Sequence, residues 1–220
     1  MTDPFSLLEA LLWEPSGGYF LLEEHLRRLE RSAAYFRYPL DIGAVRRRLA
    51  EFAAGLPERP RKVRLEASFD GAIRLSEEDV RPSAAVRAAL AVRPVDSSDE
   101  FLRHKTSRRA VYERALALHP EAQDVLLWNE RGELTEACNA NVVLEIDGRK
   151  FTPHHAAGLL PGTFRGYLLE RGEIEEEILP VGAVAQASRL FLINSVRRWR
   201  EMRLLAGTDG TSRGPRAGSM

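Results

Sequence analysis

The apolar residues of this chain fall into short runs of two different periods, separated by turn signals. Residues 5–13 are mostly apolar, stop at Pro15-Ser16-Gly17-Gly18, and are followed by Tyr19-Phe20-Leu21-Leu22. Periodicity alone admits helix or strand for the first run. The Gly-Gly turn and the aromatic second run predict a hairpin. Leu26, Leu29, Ala33 and Phe36 then recur at helical spacing across residues 23–37, a stretch ended by Pro39. Asp41 reads as the N-cap of a second helix through Val45, Leu49, Phe52 and Ala53, stopped by Gly55 and Pro57. Strands over 62–69 and 72–75 flank Asp70-Gly71, a hairpin signal, and residues 85–94 read as a further strand. Residues 1–97 are thus expected to form a small N-terminal α/β domain, with residues 94–98 as its linker.

The second half, 98–206, reads as another domain. Residues 101–112 run into a helix ending at Leu118. Residues 124–165 hold three short apolar runs cut by Arg131-Gly132 and Asp147-Gly148, dipeptides that accept the positive φ of tight turns. Pro161-Gly162-Thr163 opens a helix over 161–170. A strand over 174–179, a short helix over 181–187 and strands over 189–194 and 199–205 complete the pattern. Residues 207–220 are Gly, Ser, Thr, Arg and Pro with almost nothing to bury, and predict a disordered tail. The class is mixed α/β (α+β).

Charge removes some partners. Lys+Arg and Asp+Glu both number 32, so the formal net charge is zero, and no chain-wide attraction to nucleic acid or an anionic membrane surface is expected. Cys138 is the only cysteine, which excludes an intrachain disulfide and fits a reducing, cytoplasmic home. No run reaches the length of a membrane span, and the acidic, proline-containing N-terminus does not read as a signal peptide.

Three features carry candidate chemistry. Lys105 stands just before a helix beside a hydroxyl residue and arginines, and a lysine desolvated among cations loses proton affinity and becomes a usable amine nucleophile. Glu136 is lodged between a turn and a strand. The amides opening the helix at Gly162 and Thr163 face an anion's natural position. Taken singly, Lys105 is a surface lysine at a helix start and Glu136 a solvated turn carboxylate. Taken together, they are what a pyridoxal phosphate site needs: a lysine, a carboxylate for the pyridine nitrogen, and a phosphate cup of amides and an arginine.

Five motifs then stand in one order along the chain: His25-Leu-Arg-Arg-Leu-Glu-Arg-Ser32, Lys105-Thr-Ser-Arg-Arg109, Thr135-Glu-Ala-Cys-Asn-Ala-Asn141, Leu159-Leu-Pro-Gly-Thr-Phe-Arg165 and Phe191-Leu-Ile-Asn-Ser-Val-Arg197. In these the chain resembles the class IV (fold type IV) pyridoxal-phosphate enzymes, and within them the 4-amino-4-deoxychorismate lyases most. The resemblance covers residues 5–205. It implies a two-domain fold with a C-terminal pseudo-barrel, a homodimer closed by partner loops, pyridoxal 5'-phosphate as cofactor and a small-molecule substrate. It makes Lys105 the Schiff-base lysine, Glu136 the carboxylate facing the pyridine nitrogen, and Arg28 the arginine near the phosphate. Gly162, Thr163 and Phe164 become the phosphate loop, Asn194 and Ser195 a second turn near phosphate or substrate, and Asn141 the residue ordering the Glu136 turn. The implied activity is a lyase releasing 4-aminobenzoate and pyruvate in folate biosynthesis. An aminotransferase for D- or branched-chain amino acids and a catalytically silent relative are the alternatives.

The chain departs from the family pattern in three places. Phe164 replaces the threonine that many of the aminotransferases place second after the loop glycine. Ala110 replaces their tyrosine five residues beyond the lysine. Glu9-Ala10-Leu11-Leu12 stands where lyases often carry Glu-Thr-x-Arg, so recognition of the substrate carboxylate is left unassigned, with Arg197, Arg103 and the partner subunit as candidates. Elsewhere, His154 and His155 are expected to point apart without a third ligand, giving no metal site. Arg46, Arg47 and Arg48 read as a solvated helix face, and Cys138 as a buried structural thiol.

Overall fold

The computed structural model describes residues 4–80 and 84–205, so the expected tail at 207–220 lies outside the described residues. Strand β1 (Leu7–Glu14) pairs antiparallel with β3 (Arg61–Ala67), which pairs with β4 (Ile73–Asp79); β2 (Gly18–Tyr19) borders β1 on its other side, giving the order β2-β1-β3-β4. The expected first hairpin forms, but its second strand is only two residues long. Leu21 takes a positive φ of 54° and turns the chain directly into helix α1 (Leu22–Phe36). Strand β4 outruns its expected end at Leu75, because Glu77, Glu78 and Asp79 pair across to Arg61 and Lys62 on β3. Helix α2 (Ile42–Ala53) starts as expected at Asp41, whose side chain accepts from the Gly43 N–H at 2.8 Å. The helical stripe Leu26, Leu29 and Ala33 buries against Leu7, Leu11, Val63 and Leu65, with Val45 and Leu49 of α2 closing the core. Each such large side chain contributes about 1.5–3 kcal/mol.

A second, eight-stranded sheet has the order β10-β9-β8-β11-β12-β5-β6-β7. Its members are β5 (Val86–Leu90), β6 (Asp124–Trp128), β7 (Leu134–Ala137), β8 (Asn141–Ile146), β9 (Arg149–Pro153), β10 (Glu175–Glu177), β11 (Arg189–Asn194) and β12 (Arg198–Leu204). Strand β5 was expected to close the N-terminal unit. It instead hydrogen-bonds between β12 and β6, both parallel to it. The sheet curls into a half-barrel, and β6, β7, β8 and β11 share one core of Leu126, Leu134, Ala137, Val142, Leu144 and Leu192. Alternate residues serve the other face: Val125 and Leu127 pack with Tyr112 of helix α3 (Ala110–Ala117), while Val143, Phe191 and Ile193 pack against Phe164 and Leu168 of helix α4 (Thr163–Glu170). Sheets covered on both faces read as continuous apolar runs, which is why one apolar run was expected where β7 and β8 are distinct. A tight turn at Cys138 and Asn139 separates them, bridged by Ala137 and Ala140. Among the described residues no helix is long and apolar enough to cross a membrane.

Candidate active site

A cavity of about 700 Å³ opens where the two sheets meet. Its floor is set by backbone pairing. The Leu8 N–H donates to the Lys105 carbonyl at 2.8 Å, Ser107 N–H donates to the Ser6 carbonyl at 2.9 Å, and Leu7 bridges Thr106. Strand β1 thereby fixes the segment before α3, and the Lys105 side chain enters the cavity. Burial, and after it the Arg28 guanidinium, pull the Lys105 ammonium down to about 8. At neutral pH the free amine is then on the order of a few hundred times more abundant than for an ordinary lysine.

Glu136, on β7, is also in the cavity wall and only 4% exposed. Its Oε1 accepts from the Tyr112 hydroxyl at 2.8 Å and its Oε2 from Asn141 Nδ2 at 3.3 Å. Burial nevertheless pushes its carboxyl up to about 7, so the site favours a cationic partner that would keep it ionised. Asn141 also donates to the Leu160 carbonyl at 2.8 Å, tying the β7–β8 turn to the loop before α4. Tyr112, which also lines the cavity, thus donates its hydroxyl to Glu136. Arg109 closes the turn from outside, donating to the Cys138 carbonyl at 2.6 Å and lying over the Tyr112 ring.

Across the cavity Arg28 is gripped by Glu9, with Nε to Oε1 at 2.9 Å and NH2 to Oε2 at 2.6 Å; NH1 lies 3.4 Å from the Pro161 carbonyl. Burial opposes the charge on Glu9, but Arg28 and His25 outweigh it and hold its carboxyl down to about 2. His25 bonds Glu9 through Nδ1 at 2.7 Å, and its Nε2 lies 3.2 Å from Thr163 Oγ1. Glu9 had no place in the sequence-based site. The signal was a carboxylate inside an apolar strand, which must find a cation when buried.

Gly162 and Thr163 line the cavity at the start of α4, where backbone N–H groups have no intrahelical partner. A Cβ on Gly162 would sit 2.1 Å from Asn141 Oδ1. Gly162→Ala is therefore expected to displace an amide held by two hydrogen bonds, costing about 1–3 kcal/mol. A thermal melt checks the stability loss, and phosphate titration should show weakened anion binding at the loop; an unchanged melt would contradict the packing argument. Phe164 does not line the cavity. Its ring is buried against Phe20, Tyr167 and Trp199, so only its backbone is available to a ligand. Ser195 and Asn194 do line it; Asn194 Oδ1 accepts from the Val196 and Arg197 N–H groups, and Ser195 Oγ donates to the Ala10 carbonyl at 3.3 Å.

Of the two arginines expected near a substrate, Arg197 lines the cavity and Arg103 does not. Arg103 is exposed and donates to the Ser97 carbonyl at 3.2 Å, because the turn at 100–102 carries it away from the floor. Arg200, which sequence reasoning missed, lines the cavity instead. It lies two residues before the buried Met202 on β12 and shares its face of the sheet, a period-2 signal of an inward arginine. Cys138 is buried, as expected, and burial pushes its thiol up to about 12, leaving it inert. The two histidines do not point apart. Their rings are 4.3 Å apart at the start of a 3₁₀ turn, and with Glu176 they place possible ligand atoms within 4.8 Å of one another. The Arg165 guanidinium already holds Glu176 and opposes a cation there.

Comparison with known proteins follows the same lines. Residues 6–205 match the family described as Amino-transferase class IV. A protein of Schizosaccharomyces pombe named "Putative aminodeoxychorismate lyase" is 31% identical over 204 residues, covering 88% of this chain and 87% of that one. The crystal structure of a "Putative amino-acid aminotransferase" from Mesorhizobium loti is 34% identical, with TM-score 0.85 over 91% of this chain and 100% of that one. A hypothetical aminotransferase from Mycobacterium tuberculosis, solved with alpha-ketoglutarate and PMP bound, shares the fold at 23% identity and TM-score 0.76, over 92% and 82% of the two chains.

Proposed function

Because the chain belongs to the amino-transferase class IV family, whose members depend on pyridoxal phosphate, we propose that it is a 4-amino-4-deoxychorismate lyase releasing 4-aminobenzoate and pyruvate. The cavity's residues fit that cofactor. Glu136 is a buried carboxylate lacking a cation, Lys105 a buried amine of lowered pKa, and Gly162 leaves open a cradle that a Cβ would disrupt. In this reading Arg28, Ser195 and the backbone N–H groups of residues 162–164 hold the phosphate, Asn194 shapes the turn beneath it, and Glu136 faces the ring nitrogen. Bound there, pyridoxal phosphate supplies an electron sink for a carbanion at the carbon bearing the amino group. Lys105 Nζ would hold the cofactor covalently at rest and, when free, is the amine that would take a proton from the substrate. Tyr112 and Asn141 hold the Glu136 oxygens toward the cavity, and the apolar second core excludes water behind them. The substrate would give up one ring proton to Lys105 and its ring C–O bond would break, leaving the aromatic product, while the released enolpyruvate takes up a proton to become pyruvate. The reading includes a cytoplasmic homodimer acting in folate biosynthesis.

The observation carrying lyase over aminotransferase is the burial of Phe164. An aminotransferase must retain its cofactor as a free amine between half-reactions, without the covalent link to Lys105, so its phosphate contacts carry more of the binding. Here the second loop position offers a ring turned into the core and no hydroxyl, and a charge-assisted hydrogen bond of about 1.5–3 kcal/mol is missing. The relative from Schizosaccharomyces pombe supports the same reading by its name. The name of the Mesorhizobium loti protein favours the aminotransferase as second reading. The expected result is release of 4-aminobenzoate from 4-amino-4-deoxychorismate, with little stable amine-form cofactor when simple amino acids are added. Rapid stoichiometric conversion to the amine form by a D- or L-amino acid, reversed by a 2-oxo acid, would replace the lyase by the aminotransferase.

A further inference from the structure

The cavity is also lined by side chains that the roles above leave unused. Arg200 reaches it from β12 and Arg197 from the turn before β12, with Asp124 at the start of β6 and Asn139 in the β7–β8 turn. The guanidinium of Arg200 is only part-exposed, and its Nε is buried without any hydrogen-bond partner. A buried donor of a charged group left unpaired is costly, so its persistence points to a ligand that completes it. Asp124 does not complete it. Among the described residues no carboxylate lies within ion-pair distance of Arg200, and the Asp124 oxygens are engaged by the Val125 N–H at 2.9 Å and Asn139 Nδ2 at 3.5 Å. Burial, and then the neighbouring Arg197, work against the charge on Arg200, so an anion placed between the two arginines relieves both.

We propose that Arg200, assisted by Arg197, binds a substrate carboxylate in the cavity that Lys105 enters, so that the site selects an amine that also carries a carboxylate. This deepens the lyase reading and rests on it for the identity of the substrate. Asn139 and Gln123 beside the arginines offer polar contacts without adding negative charge.

The test uses 4-hydroxybenzoate, which carries the carboxylate but no amine to react, and its neutral analogue 4-hydroxybenzamide, with the cofactor-loaded protein. Calorimetry on Arg200→Met should show benzoate binding weakened about tenfold or more, with amide binding unchanged; Arg200→Lys should recover part of the loss. On the wild-type protein, 4-hydroxybenzoate and not the amide should protect Arg200 from butanedione, read by peptide mapping, so the assignment is tested even if a variant fails to fold. Equal benzoate affinity in folded Arg200→Met, or no protection of Arg200, overturns it. If Arg200 governs benzoate binding while 4-amino-4-deoxychorismate is not turned over, the subsite stands and the lyase reading falls. Turnover with Arg200-independent binding does the reverse.

Discussion

Lys105→Ala is expected to give a folded protein with no covalent link to pyridoxal phosphate and activity reduced by roughly 10³-fold or more, since both the amine nucleophile and the general base are removed. Folding should survive. The Lys105 ammonium is desolvated and repelled by Arg28 and Arg109, and the segment is anchored to β1 by backbone bonds that the substitution leaves intact. Added methylamine should restore part of the activity, because the cavity then has room for a small amine. The measurement is borohydride reduction of the loaded wild-type protein followed by peptide mapping. The label belongs on Lys105; finding it on Lys62, which also lines the cavity and pairs with Glu78, would remove Lys105 from the role.

Glu136→Gln is the second large effect. The carboxylate accepts two hydrogen bonds, from Tyr112 and from Asn141. A glutamine side chain has one acceptor oxygen, so its amide nitrogen must face one of those donors, and one buried contact is lost at about 1–3 kcal/mol. More consequential is the charge. A neutral amide cannot favour a protonated ring nitrogen, so proton abstraction is expected to slow by roughly 10²–10³-fold while cofactor still binds. Glu136→Asp, which keeps the charge and shortens the reach, should retain more activity than the amide. Stopped-flow measurement of substrate Cα–H or ring C–H deuterium loss reads the step directly. Near-normal proton exchange in the Gln variant would sink the assignment of Glu136.

Both effects depend on a constellation only partly visible in the chain. Sequence by itself determined what short-range chemistry determines. The helical stripe of α1, the Asp41 cap, the Asp70-Gly71 and Asp147-Gly148 turns, and the residues that reach the cavity from five ordered motifs follow from neighbours within a few positions, where turn and capping energies are decided. What the tertiary structure alone decided is which of these segments meet. Strand β5 left the N-terminal unit because its alternating apolar faces find partners on β12 and β6, and strand pairing is a long-range choice that local pattern does not encode. Glu9 joined the site because Arg28, nineteen residues away, is brought against it by the packing of α1 on β1. Phe164 turned inward because an aromatic cluster from four separate segments was there to receive it. Arg103 was carried off by a single 3₁₀ turn, while Arg200 was aimed inward by the two-residue period that buries Met202. Residue chemistry is written locally, but burial is a property of the assembled fold, and burial is what lowers the Lys105 ammonium and raises the Glu136 carboxyl from their ordinary values.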